Sequence, residues 1–79
     1  MKNITIGKIS KKICLKIKLE RLKRGLTQEE LAFSAKLNKN TIGTIERAEV
    51  SPTIESLEKI ANAFNMDFAQ LIDISKVDL

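Results

Sequence analysis

The sequence predicts an all-α domain of five short helices, and three observations lead there. Apolar residues recur at spacings of three and four from Ile9 onward, the period of helices with one buried face. Helix-capping signatures repeat along the chain. The stretches left between the expected helices are only a few residues long, as in a compact helical domain. With 79 residues, 43% hydrophobic and 30% charged, the chain has material for one small core.

The caps locate the elements. Thr27 with Glu30 forms a capping box, and Leu26 with Leu31 occupies hydrophobic-staple positions. Asn38 can cap the next helix, with Leu37 and Ile42 as its staple, and Asp67 with Gln70 repeats the box between Met66 and Leu71. The helix between starts at Thr53 or at Ser51 followed by Pro52 in the first helical position. These signals give helices over 9–24, 28–35, 39–47, 54–64 and 68–73. Gly25 and Asn65 stand where a left-handed residue ends a helix. The whole chain, 1–79, reads as one domain with its core over 13–72, an N-terminal arm 1–8 and a C-terminal tail 73–79. Asn3–Ile6 and Ile72–Leu79 alternate with period two, which suits a short strand, an ordered arm or frayed ends.

Composition narrows the function. Cys14 is the sole cysteine and there is no histidine, so neither an internal disulfide nor the usual zinc-ligand set is available. With no catalytic constellation and no cofactor loop, no catalytic residue, metal or cofactor is expected, and the chain is read as a non-enzyme. No segment reads as a secretory signal or a membrane span, which places the protein in the cytoplasm. Charge is distributed unevenly. Residues 1–24 hold nine basic residues against Glu20 alone, residues 25–47 balance, and residues 48–79 hold six acids against Lys59 and Lys76. Such a basic end favours a polyanionic partner, although a lysine-rich face can also simply be solvated.

The second and third expected helices read LTQEELAFSAKLNKNTIGTIER. Leu31, Ala35 and Leu37 line the inner angle of the pair, Ala32 is small where the helices cross, and Ile42 and Ile45 turn the third helix inward. Lys39, Asn40, Thr41 and Thr44 are left on or near the outer side at its start. A helix entering the major groove of double-stranded DNA amino end first would offer those side chains to base edges. A protein-binding alternative would call for an exposed aromatic or Met anchor, and all three Phe residues have plausible buried positions.

RGLTQEELA, the IER ending of the third helix and PTIESLEKIANAF together make the chain resemble the lambda-repressor and Cro type of helix-turn-helix domain, the XRE family, over roughly Ile13 to Ile72. The resemblance implies a five-helix, lambda-repressor-like DNA-binding fold whose helix-turn-helix is formed by helices 2 and 3. It implies that Gln28, helped by Thr27 and the helix's own amides, takes a DNA phosphate. It matches Asn38, Lys39, Asn40 and Thr41 to base-reading and backbone-gripping positions, with Thr44 one turn on, and Arg47 to a backbone contact. Arg21 and Glu46 match a buried structural ion pair. On chemistry, Asn40 ranks first for base readout, then Lys39 and Thr44, while Lys39 equally suits a phosphate.

Three residues depart from the family pattern. Lys36 replaces the glycine of the turn, so either it sits left-handed at a cost of about 1 kcal/mol or the turn differs. Gly43 interrupts the third helix at about 1 kcal/mol relative to Ala. Ala48 replaces the glycine after that helix, which leaves the shape of the exit loop open. The first helix carries two apolar faces, Ile9–Ile13–Ile17 and Leu15–Leu19–Leu22, which would also suit a membrane surface. An expected core role for Leu22 favours packing against the termini instead. The resulting expectation is a sequence-specific transcriptional regulator reading a two-fold operator as a homodimer through helix 5 (Phe68, Leu71, Ile72) and the tail. The alternative is an antitoxin-like or adaptor protein that uses the fold to bind protein.

Overall fold

The computed structural model describes residues 7–78 and contains helices only. They are α1 (Lys8–Lys23), α2 (Gln28–Ala35), α3 (Lys39–Glu46), α4 (Ile54–Ala63) and α5 (Phe68–Leu71). The boundaries agree with the expected ones to within two residues. Residues 72–78 form turns rather than a strand, and the alternation over Asn3–Ile6 lies outside the described residues.

Side chains start the helices where the sequence places them. Thr27 Oγ1 accepts from the Glu30 amide at 3.0 Å while the Thr27 amide donates to Glu30 Oε1 at 2.8 Å, closing the box. Asn38 Oδ1 accepts from the Thr41 amide at 2.9 Å, and Asp67 N donates to Gln70 Oε1 at 3.0 Å. Thr53, not Ser51, caps α4, its Oγ1 accepting from Ser56 N at 3.0 Å. Each such cap satisfies amide groups that the first helical turn leaves unpaired.

Four helices end in one way. Gly25, Lys36, Ala48 and Asn65 take φ of 69°, 58°, 56° and 57°, and the amide after each reaches back five residues. Those closures are Leu26 to Arg21, Leu37 to Ala32, Glu49 to Thr44 and Met66 to Ala61, at 2.9–3.1 Å. This is the Schellman termination, and glycine is its least strained occupant. Lys36 and Ala48 therefore hold a turn that suits glycine and bear the strain of a side chain in it. At three of the ends the closing residue is apolar and packs on the core: Leu26, Leu37 and Met66. At α3 it is the exposed Glu49.

The core is drawn from all five helices. Cys14, Ile17, Leu31, Ile42, Ile60 and Leu71 are fully buried, and Ala32 and Ala35 lie inside where α2 meets its neighbours. Burying a side chain of Leu or Ile size contributes about 1.5–3 kcal/mol, so these positions outweigh any single surface contact. Three expectations fail here. Leu22 is exposed, at 52%, because Arg21 beside it takes the inward position. Phe33 is 86% exposed, since it stands on the side of α2 opposite Leu31 and Ala35. Leu71 is 0% exposed: α5 spends it on the protomer's own core, so it is not available to a dimer surface.

Polar clamps close the bundle around α1. Arg24 pairs with Glu20, donates to the Phe64 carbonyl at 3.2 Å and lies 4.6 Å from the centre of the Phe64 ring. Lys16 Nζ donates to the carbonyls of Gln70 and Asp73, the latter at 2.7 Å, which fastens the carboxyl end of α5 to α1. The first helix thus does pack against the C-terminal segment, through Lys16 rather than Leu22.

Replacing Lys36 by Gly relieves the left-handed strain at the cost of chain entropy. A net gain of about 0.5–1 kcal/mol is expected, read in thermal melts as a rise in Tm of roughly 2–8 °C. The hydrogen bond from Arg24 holds the Glu20 carboxyl below its usual range, with Lys23 and Arg24 charge adding and burial opposing. A depressed folded-state value means that this stabilisation is present above the unfolded pKa and is lost as pH falls through the folded one. The Tm deficit of Glu20→Gln is accordingly expected to be largest at neutral pH and to shrink on acidification through the carboxylate range.

Candidate nucleic-acid interface

The apolar spacing along α3 decides what it shows to solvent. Ile42 and Ile45 are 0% and 1% exposed and fix its inner side. Lys39 and Asn40, at its amino end, then fall outside, and both are exposed. Asn38, just before them, is exposed too, but its Oδ1 is already occupied by the Thr41 amide and, at 3.1 Å, the Thr41 hydroxyl. Its amide nitrogen is what remains to meet a partner. Thr41 and Thr44 are half-buried, and the Thr44 hydroxyl donates to the Thr41 carbonyl at 3.0 Å. The two threonines therefore offer mainly methyl groups and spare acceptor capacity. Lys39 and Asn40 are the unencumbered polar groups of this end.

The amino end of α2 is joined to α3 by a buried network. Arg21 Nε donates to Glu46 Oε2 at 2.6 Å and Nη2 to Oε1 at 3.0 Å, with the two side chains 10% and 2% exposed. Arg21 Nη1 also donates to the Leu26 carbonyl at 2.7 Å. The same Glu46 Oε1 accepts from Gln28 Nε2 at 3.0 Å. The hydrogen bond to Glu46 raises the Arg21 pKa against the opposing effect of burial, so the guanidinium stays charged at every accessible pH. Gln28 is thus oriented by the pair that locks α1 to α3, and it keeps its carbonyl oxygen and one N–H for a partner. Thr27 stays exposed beside it with its hydroxyl in the cap. The family resemblance pairs Arg21 with Glu46, but nothing in the sequence announces Gln28 as a third member. A glutamine at the first position of a helix was the one available signal.

Arg47, the C-cap residue of α3, forms a two-point ion pair with Glu49, Nε to Oε2 at 2.9 Å and Nη2 to Oε1 at 3.3 Å. Both side chains are more than half exposed. The hydrogen bond from Arg47 lowers the Glu49 pKa and the same contact raises that of Arg47. Sequence reasoning places Arg47 at the interface and misses Glu49 altogether, because a pair two residues apart faces together only once the left-handed Ala48 has reversed the chain.

This arrangement, two helices at a tight turn with the second presenting its polar amino end, defines a helix-turn-helix module. The helix-turn-helix family model matches residues 17–76, and the chain belongs to that family, of the XRE type. It is 34% identical over 64 residues to the cryptic phage CTXphi transcriptional repressor RstR of Vibrio cholerae, covering 81% of this chain and 58% of that protein. It is 39% identical over 56 residues to the HTH-type transcriptional regulator SutR of Escherichia coli K12, covering 71% of this chain and 32% of SutR. The chain thus spans between about a third and three fifths of the length of these curated relatives. Among solved structures, the wild-type restriction-modification controller protein C.Esp1396I superposes with a TM-score of 0.77 at 34% identity, covering 87% of this chain and 95% of that one. The controller protein C.AhdI from Aeromonas hydrophila gives 0.73 at 27% identity, covering 80% and 94%.

Removing the carboxylate of Glu46 strands the Arg21 charge. Glu46→Ala is expected to destabilise the fold by about 3–5 kcal/mol in denaturant unfolding; an unchanged curve would show that the pair is not a structural element.

Proposed function

We propose that this chain is a sequence-specific DNA-binding transcriptional regulator that reads a two-fold operator as a homodimer. The observation that carries the reading is the exposed amino end of α3, where Lys39 and Asn40 stand free, with Gln28 of α2 tied to the other end of the same helix through Glu46. Asn pairs bidentately with adenine and Lys donates to guanine or to a phosphate, while the amino end of α2 with Thr27 and Gln28 suits an anion. Thr41 and Thr44 would add methyl contacts to thymine, Asn38 its amide nitrogen, and Arg47 a further donor. Family membership and the named repressor and controller proteins support the same reading.

One recognition helix contacts only a few base pairs, so useful specificity calls for two half-sites about one helical turn (~34 Å) apart. With Leu71 consumed by the core, the dimer surface is assigned to Ile72, exposed at 36%, and the half-buried Phe68, Ile74 and Val77. No helix among the described residues is long and apolar enough to cross a membrane, which suits a regulator working beside the chromosome in the cytoplasm. Phe33 favours a second reading. An aromatic ring 86% exposed on α2 is the kind of anchor that an antitoxin-like or adaptor protein would use on a protein partner.

Selection of binding sites from random duplex DNA separates the two. A two-fold symmetric site bound with a steep salt dependence is the expected result; binding without sequence preference would contradict it. Asn40→Ala is expected to relax one base position per half-site, by about 1–3 kcal/mol of discrimination. Gln28→Ala is expected to weaken all sequences alike.

A further inference from the structure

The carboxyl end of α3 is built differently from the other helix ends. Its closing residue is a carboxylate, Glu49, where α1, α2 and α4 use Leu26, Leu37 and Met66. The hydrogen bond from Glu49 N to the Thr44 carbonyl, 3.0 Å, fixes the backbone there, and the left-handed Ala48 brings the Glu49 side chain back alongside Arg47. Both carboxylate oxygens engage one edge of the guanidinium, Nε and Nη2. The opposite edge, Nη1 with the second N–H of Nη2, has no protein partner among the described residues.

Gly43 determines where that free edge lies. A Cβ at Gly43 would stand 3.0 Å from Arg47 Nη1 and 3.7 Å from its Cζ and Nη2, so the guanidinium lies folded back across the helix at the one position with no side chain. Residues 39, 43 and 47 share a helical face at spacings of four. The arginine fork is therefore carried from the end of α3 toward its middle, onto the face that begins with Lys39. The three residues Gly43, Arg47 and Glu49 work as one unit.

Two DNA groups could take such a fork, and charge decides between them. A phosphate also fits the arginine fork, but it carries a full negative charge and is held largely through the net positive charge of its donor. Glu49 cancels the charge of Arg47 and would itself face the phosphates at close range. A guanine edge is neutral and asks instead for two directed donors, which a planar fork fixed on its other side supplies without further loss of freedom. We propose that Arg47 is a base-reading residue that takes the O6 and N7 of a guanine in the major groove, with Glu49 as its positioning residue and Gly43 as the space that admits it. The proposal rests on the DNA-binding reading above and revises the role of Arg47 from a backbone contact to a specificity contact.

The test is selection from random duplex DNA with the wild type, Arg47→Lys and Glu49→Gln, alongside titration of a mixed-sequence duplex. The wild type is expected to enrich a guanine in each half-site at a position other than the one Asn40→Ala relaxes. Arg47→Lys keeps the charge but not the fork, so discrimination at that guanine should fall roughly 5- to 160-fold, the range of one bidentate pair, with the rest of the site retained. Glu49→Gln should loosen the same position and no other, while tightening binding to the mixed-sequence duplex as the Arg47 charge is released. Enrichment of an unchanged site by Arg47→Lys would overturn the proposal and leave a plain backbone contact. An unchanged site with Glu49→Gln would overturn the positioning role. A wild type that enriches no site at all would overturn the DNA-binding reading and this proposal together. Both residues are exposed, and melting curves matching the wild type would exclude unfolding as the cause of any loss.

Discussion

The contact between Arg21 and Glu46 is the constraint on which the rest of this small structure depends. Arg21 sits in the last turns of α1 and Glu46 ends α3, so their two-point bond, together with the buried Ile42 and Ile45, sets how α3 is rotated about its own axis. That rotation decides which residues face outward. The gain in stability is not the reason to keep such a pair, since a well-packed apolar substitute of similar size is often as stable or more so. What the pair supplies is direction: its two-point geometry is kept only by a narrow set of relative placements of α1 and α3. Arg21 also holds the Leu26 carbonyl, and Glu46 also holds Gln28, so the turn before α2, the first residue of α2 and the end of α3 are set by one network.

The helix ends show the opposite economy, in which one backbone device is reused while its closing residue changes with location. Where the chain returns to the core, the residue after the left-handed position is apolar. At the end of α3 the chain leaves the core, and Glu49 and Val50 are exposed there. The loop beyond is nonetheless tied down, because the Ser51 hydroxyl donates to that of Ser10 at 3.1 Å and the Val50 carbonyl faces the Cys14 thiol at 3.8 Å. Burial raises the pKa of that thiol, so Cys14 sits as a neutral, packed side chain.

Most of the fold was legible in the sequence because its signals are local. Thr27 with Glu30, Asn38, Thr53 and Asp67 with Gln70 each act within one turn, and the apolar spacing of Leu31, Ile42, Ile45, Ile60 and Phe64 reports burial directly. The polar face of α3 could be read for the same reason. What escaped was settled by geometry between elements. Phe33 was expected inside because aromatic residues are, yet the opposite side of α2 was already filled by Leu31 and Ala35. Leu71 looked available for a partner until α4 and α1 closed over it. Glu49 carried no signal, because only the reversal at Ala48 places it against Arg47. The hydrogen bond of Gln28 to Glu46 likewise appears only once α2 and α3 are packed together.

The central claim is that this network, by anchoring the end of α3 to α1 and to the start of α2, orients α3 so that its amino end and the start of α2 both face DNA. Mapping amide chemical-shift changes while a selected operator duplex is titrated into labelled protein tests it most directly. The account predicts the largest changes at Thr27, Gln28, the amides of residues 38–44 and Arg47, with α4 little affected. Changes concentrated around Phe33 or on α4, with the amino end of α3 unmoved, would contradict it.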